Sequence, residues 1–250
     1  MKFRVLGSSG GQLPGYNLSS FLIDDSLLID AGSTTAALTL AAQQKIRDIL
    51  VTHIHLDHVM ALGTLSDNLY GKCKVPINIW SVRRVIDGLA KSFFNNKVWP
   101  DFTRITGPTQ RVPVLRLRRL REGKAIKIGG YSITAIGVGH VVPTVAFLVE
   151  SKNNALLHVG DTGPTNKVWS FARKHRNIGA LVIEASFPNR LQDVADVAFL
   201  RVVQLSGKNQ EVNGFSVTHL RLLKCRQSST PILRKRGLED WPKAGISGAC

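Results

Sequence analysis

The chain has 250 residues, 44% of them hydrophobic and 20% charged, a composition that supports a packed core and excludes disorder along the whole length. One large α/β domain is the default organisation for this size. Lysine and arginine number 33 against 17 aspartates and glutamates, a formal net charge of +16, which favours anionic substrates or polyanionic partners while remaining compatible with a plain solvated basic surface.

From the N-terminus, Lys2 to Leu6 alternates polar and apolar residues and runs into the Gly/Ser loop 7–11, so a strand enters a turn. Phe21-Leu22-Ile23 and Leu27-Leu28-Ile29 flank Asp24-Asp25 as a hairpin. Thr34 to Lys45 is rich in Ala and Leu, lacks Pro and Gly, and predicts a helix. Ile49-Leu50-Val51-Thr52 predicts a short buried strand. Helical periodicity follows over Val59 to Leu69, then a strand over Val75 to Trp80 and a helix over Val82 to Phe93. Strands are predicted over Tyr131 to Val138, Val145 to Glu150, Ala155 to Val159 and Ala180 to Glu184, with a helix over Lys167 to Lys174. No repeat or low-complexity linker interrupts this order.

Cys73, Cys225 and Cys250 are odd in number and widely spaced, which argues against a disulfide framework or a cysteine zinc site. No long apolar segment follows the first basic residues and no stretch is long enough to span a bilayer, so a cytoplasmic location is the expectation.

Three histidines and an aspartate fall in Thr52-His53-Ile54-His55-Leu56-Asp57-His58, immediately after an apolar strand. A strand end is a rigid platform from which the next loop can aim several side chains at one point. Imidazole and carboxylate suit zinc and related divalent metals. His53 and His55 project to the same side of an extended segment, whereas Asp57 and His58 come where the chain turns into a helix. One metal needs only about three or four protein ligands, so this density argues for two metals sharing a hydroxide. His140, after Gly137-Val138-Gly139, and Asp161, in Val159-Gly160-Asp161-Thr162-Gly163, sit at further strand ends and extend the cluster. A carboxylate there can bridge two ions. His158 and His175 read as structural or surface residues.

The run His53-Ile54-His55-Leu56-Asp57-His58 resembles the H-x-H-x-D-H signature of the metallo-β-lactamase superfamily. Within that superfamily the chain resembles the class II 3′,5′-cyclic-nucleotide phosphodiesterases. Supporting stretches are Leu6-Gly7-Ser8-Ser9-Gly10-Gly11, Asn17 to Leu22, Leu28-Ile29-Asp30-Ala31-Gly32, His140 to Leu148, Gly160 to Pro164 and Ile183 to Arg190. The resemblance implies an α/β fold of the αββα type, two mixed sheets with helices outside, and hydrolysis of cyclic AMP to 5′-AMP by a hydroxide held between two divalent metals, zinc first, manganese or iron as alternatives. It implies His53, His55 and His140 on one metal, Asp57 and His58 on the other, and Asp161 between them. The late histidine ligand is matched by His219 in Phe215-Ser216-Val217-Thr218-His219-Leu220; Asp57 and His219 are the catalytic candidates. Glu184, Ser186 and Asn189 are supporting or substrate-side candidates. The substrate is a small anionic nucleotide, and a homodimer is implied by the same resemblance.

The resemblance covers residues 1–197, taken as the catalytic domain. Residues 198–250 are basic and divergent, and either complete the domain through His219 or stay partly disordered. Two other readings remain open. Arg116-Leu117-Arg118-Arg119-Leu120-Arg121 suits a ribonuclease of the same fold, of the transfer-RNA 3′-processing type, although a solvated strand-edge face explains the same charges. An inactive, basic nucleic-acid-binding relative is the reading outside enzymes. The metal loop alone does not choose the bond cleaved, so a thioester or lactam hydrolase also fits it.

Overall fold

The computed structural model describes residues 1–72, 74–108, 112–175 and 177–183, and the backbone of 211–212 and 215–216. Its first sheet has six strands in sequence order: β1 (Phe3–Gly7), β2 (Ser20–Ile23), β3 (Leu27–Ala31), β4 (Asp48–Leu50), β5 (Ile77–Val82) and β6 (Leu115–Leu120). β1, β2 and β3 pair antiparallel; β3 to β6 run parallel. The crossovers carry α1 (Thr34–Ala37) and α2 (Leu40–Gln43), then α3 (Leu56–Val59) and α4 (Ala61–Leu69), then α5 (Arg83–Ser92). The second sheet holds β7 (Ile126–Ile128), β8 (Tyr131–Val138), β9 (Thr144–Glu150), β10 (Ala155–His158) and β11 (Ile178–Val182) in the order β11-β10-β9-β8-β7. Its pairs are antiparallel except β10 with β11, across which α6 (Lys167–Ala172) makes the crossover.

Strand alternation builds the layers. Leu27 and Ile29 of β3 face Val145, Phe147 and Val149 of β9 in the core between the sheets. Leu28 of the same strand turns outward, with Ile49 of β4, against Leu62, Leu65 and Leu69 of α4 and Val85 and Leu89 of α5. Ala146 and Leu148 of β9 turn the other way, against Val168, Trp169 and Ala172 of α6. The result is the expected αββα sandwich, two mixed sheets with helices on both outer faces.

The helix expected over Thr34 to Lys45 is broken in two. Leu38 is extended (φ −123°, ψ 139°), and Thr39 restarts the helix by accepting from the Ala42 amide. The Gln43 side-chain Nε2 donates to Leu38 O (2.8 Å) and Thr35 O (3.3 Å), satisfying carbonyls at the break. The arginine-rich run 116–121 falls on and just after β6, the edge strand of the first sheet, as the strand-edge reading anticipates. Among the described residues no helix is long and apolar enough to cross a membrane. Within 198–250 only the short pair β12 (Glu211–Val212) and β13 (Phe215–Ser216) is described. His219, Glu184, Ser186 and Asn189 lie outside the described residues.

Candidate metal centre

Three strand ends converge on one point. β4 delivers residues 51–55 and α3; the loop after β8 delivers His140; the loop after β10 delivers Asp161. The two sheets are stitched together there, because the Val145 amide donates to Thr52 O at 3.1 Å. The Gly163 amide donates to Gly139 O at 2.8 Å, which ties the Asp161 loop to the His140 loop. Two glycines permit the close packing. A Cβ on Gly32 would stand 2.0 Å from Asp57 O, so only glycine lets the start of α3 settle on the end of β3. Gly160, at φ +66° and packed against Thr52, takes the left-handed turn immediately before Asp161.

The donors form two groups. One is His53, His55, His140 and Asp161; the other is Asp57, His58 and Asp161. His53 Nε2 lies 3.1 Å from His55 Nδ1, and His140 Nε2 lies 3.3 Å from the same atom. Zinc–nitrogen bonds of about 2.0–2.1 Å in a tetrahedron imply ligand separations of about 3.3 Å, so these spacings match ligands of one ion. Asp161 divides its oxygens: Oδ2 is 3.8 Å from His53 Nε2 and 3.9 Å from His140 Nε2, while Oδ1 is 3.4 Å from His58 Nε2. Asp57 Oδ2 is 3.4 Å from the same His58 nitrogen. His58 Nε2 is buried and makes no hydrogen bond, which suits an atom whose partner is a cation.

Protonation supports this reading. Burial, reinforced by the neighbouring histidines, pushes His53 down to about 2, and burial lowers His55 as well. Both therefore stay neutral and present lone pairs. Burial opposes charge on His58, but Asp30, with Asp161 and Asp57 added, raises its pKa well above the usual histidine value. Burial likewise opposes ionisation of Asp161, yet the close approach and charge of His58, then the charges of His53 and His140, hold its pKa below the usual carboxylate range.

Sequence reasoning gave Asp30 no role beyond a supporting stretch. It is wholly buried at the end of β3, at φ +56°. Oδ1 accepts from the Thr52 amide (2.8 Å); Oδ2 accepts from Thr52 Oγ1 (2.8 Å) and His58 Nδ1 (2.7 Å). Holding Nδ1–H in this way leaves Nε2 as the metal-facing atom. The sequence signal was an aspartate ending an apolar strand before glycine. His158 is fully buried beneath the site, edge-on to Phe21 at 4.7 Å, with neither ring nitrogen hydrogen-bonded, and burial lowers it to about 4. Among the two histidines set aside as structural or surface residues, His175 approaches Phe171 O at 3.0 Å.

Layers and strand-end loops give the metallo-β-lactamase fold, and the paired donor groups give it a centre suited to divalent metal ions. Within that class the chain resembles the class II cyclic-nucleotide phosphodiesterases: the family model for class-II cAMP phosphodiesterases matches residues 23–139. A Yersinia pestis protein named "Probable 3',5'-cyclic-nucleotide phosphodiesterase" is 28% identical over 85% of this chain and 75% of its own length. The crystal structure of unliganded yeast PDE1 superposes with a TM-score of 0.65 at 18% identity, covering 75% of each chain. Ribonuclease Z from Archaeoglobus fulgidus is 25% identical over 59% of this chain and 47% of that protein.

Proposed function

We propose that the chain is a metal-dependent phosphodiesterase that opens 3′,5′-cyclic nucleotides, cyclic AMP foremost, to 5′-monophosphates. The observation that carries the metal-dependent chemistry is the pair of donor groups sharing Asp161, and the similarity to the Yersinia pestis protein supports the cyclic-nucleotide substrate. His53, His55 and His140 would hold one ion, Asp57 and His58 the other, with Asp161 between them and His219 as a further ligand. The all-nitrogen and oxygen donor set favours zinc, with manganese or iron as substitutes. When bound, such ions supply Lewis acidity and a water activated near neutral pH.

The chain's own residues do the rest. Neutral His53 and His55 need no proton removed before they bind. Asp30 keeps His58 in the tautomer whose Nε2 faces the centre. Asp57, part-exposed beside that nitrogen, and His219 are the groups proposed to exchange protons with the attacking water and the departing 3′-oxygen. Glu184, Ser186 and Asn189 are proposed on the substrate side. The net charge of +16 draws an anionic nucleotide towards the site.

The ribonuclease reading rests on the Archaeoglobus relative and on the arginines of β6. Those arginines sit two strands away from β4, which carries the metal loop. The test supplies zinc- or manganese-loaded protein with cyclic AMP, a structured RNA and bis-p-nitrophenyl phosphate. Cyclic AMP turnover that disappears in His55→Ala is the expected result. RNA cleavage without cyclic AMP turnover overturns the proposal.

A further inference from the structure

Five described large apolar side chains are more than half exposed: Leu13 (64%), Leu56 (59%), Tyr16 (58%), Val98 (57%) and Val141 (53%). Two of them adjoin metal-centre residues in the chain, and two more stand on a loop that approaches the centre. Leu56 follows His55 directly, Val141 follows His140 directly, and Leu13 and Tyr16 stand at the tip of the loop between β1 and β2. That loop lies against the centre, since a Cβ on Gly10 would be 3.8 Å from Asp57 Oδ2. Three residues span at most about 10 Å, so the Leu13 backbone stays within about 15 Å of Asp57 Oδ2. The tip is also rigid. Leu13 and Tyr16 exchange both backbone hydrogen bonds (3.3 and 2.9 Å), with Gly15 at φ +82° closing the turn, and the Ser9 amide donates to Asn17 O at 3.0 Å below it.

Single exposed apolar residues are ordinary on a protein surface, but a set gathered round one polar centre marks a ligand site. We propose that Leu13, Tyr16, Leu56 and Val141 form an apolar collar that receives the nucleobase while the metal centre takes the phosphate, with the Tyr16 ring as its stacking face. The inference rests on the phosphodiesterase reading and deepens it. The phosphate of a cyclic nucleotide carries the charge that the donors and their ions attract, whereas the base is flat and sparingly hydrated on its faces. Continuity between the collar and the centre fits these two ends of one substrate. An aromatic face accepts any base by stacking, so the collar selects for a nucleoside over a base-free phosphate ester and leaves adenine against guanine to polar contacts.

The test uses the full, zinc-loaded chain and its Tyr16→Ala and Leu13→Ser variants, singly and together. Calorimetry measures binding of the product 5′-AMP and of ribose 5-phosphate, which lacks the base. The preference for 5′-AMP is expected to fall by about tenfold or more in Tyr16→Ala, with a matching rise in KM for cyclic AMP. An unchanged preference, or equal weakening of both ligands, overturns the collar. A parent chain that cleaves methyl p-nitrophenyl phosphate but shows no preference for 5′-AMP also overturns it, leaving the metal chemistry intact. A parent chain that cleaves no phosphodiester at all sinks the phosphodiesterase reading, and the collar with it.

Discussion

Replacing Asp30 by asparagine keeps the size of a wholly buried side chain and changes only its hydrogen-bonding character. Three donors meet the carboxylate: the Thr52 amide, the Thr52 hydroxyl and His58 Nδ1. An amide oxygen placed on the Thr52 amide turns its NH2 towards the other two. The hydroxyl can rotate to accept, but His58 must then present an unprotonated Nδ1 and carry its proton on Nε2. That proton points at Asp57 and Asp161, where a cation would bind. The reverse amide orientation sets NH2 against the Thr52 amide and leaves that donor unpaired. Either arrangement forfeits about 2 kcal/mol, equivalent to about 30-fold in affinity, inside the range of about 10–100-fold usual for residues that orient a metal ligand. Titration of metal-stripped protein against a competing chelator should show the Asp57–His58–Asp161 group weakened by that factor and the three-histidine group nearly unaffected. Parental affinity at both groups would refute the tautomer argument and reduce Asp30 to a packing role.

Metal uptake should release about one proton per chain near neutral pH, because His58 enters charged while His53 and His55 enter neutral. Affinity should then rise with pH until the raised His58 pKa is passed and level off above it; calorimetry in buffers of different ionisation enthalpy reads the proton, and a flat profile contradicts the assignment. His158→Leu should protect the metal-free protein against acid. Folding holds the His158 pKa near 4 against 6.5 for the free side chain, so the unfolded chain gains a proton first as pH falls, and the parent loses up to about 3 kcal/mol between those values. Urea midpoints at pH 7 and pH 4.5 should show the variant gaining on the parent at the lower pH. Gly32→Ala should cost about 3 kcal/mol or more, since its Cβ would overlap Asp57 O at 2.0 Å, and thermal melting should fall by roughly 6–12 °C.

The metal loop was legible because it is local: an apolar run sets β4, and the donors follow within eight residues of its end. His140 and Asp161 were legible for the same reason, each closing a strand of clear pattern. What escaped depended on distance along the chain. Asp30 meets Thr52 and His58 across separations of 22 and 28 residues, and nothing near it announces those partners. The break at Leu38–Thr39 contains neither Gly nor Pro; a threonine cap and the Gln43 side chain make it. β6 was legible only as a strand-edge face inside the arginine run, without bounds, because the arginines mask the apolar positions, of which Leu115 and Leu120 are buried. His158 reads as an ordinary strand residue, and only its depth reveals an imidazole without hydrogen bonds.

The donor set would support hydrolysis and leaves the choice of ester open. Two groups of nitrogen and oxygen ligands sharing a carboxylate would polarise the phosphorus of RNA as readily as that of a cyclic nucleotide. Selection must therefore come from surfaces beside the ions. Polynucleotide binding needs a basic track that runs to the centre and neutralises successive phosphates. The arginines of β6 lie on an edge strand, where Arg119 is paired with Asp87 at 2.8 Å and Arg118 lies over the Trp80 ring at 5.9 Å. The residues next to the donors in the chain include Leu56 and Val141, both apolar and exposed, and the collar proposed above adds Leu13 and Tyr16 to them. Such a border leaves the neighbouring phosphates of a chain without partners, but it suits one charged group joined to one flat ring. The cyclic nucleotide is thus favoured by what surrounds the metals as well as by similarity to known phosphodiesterases.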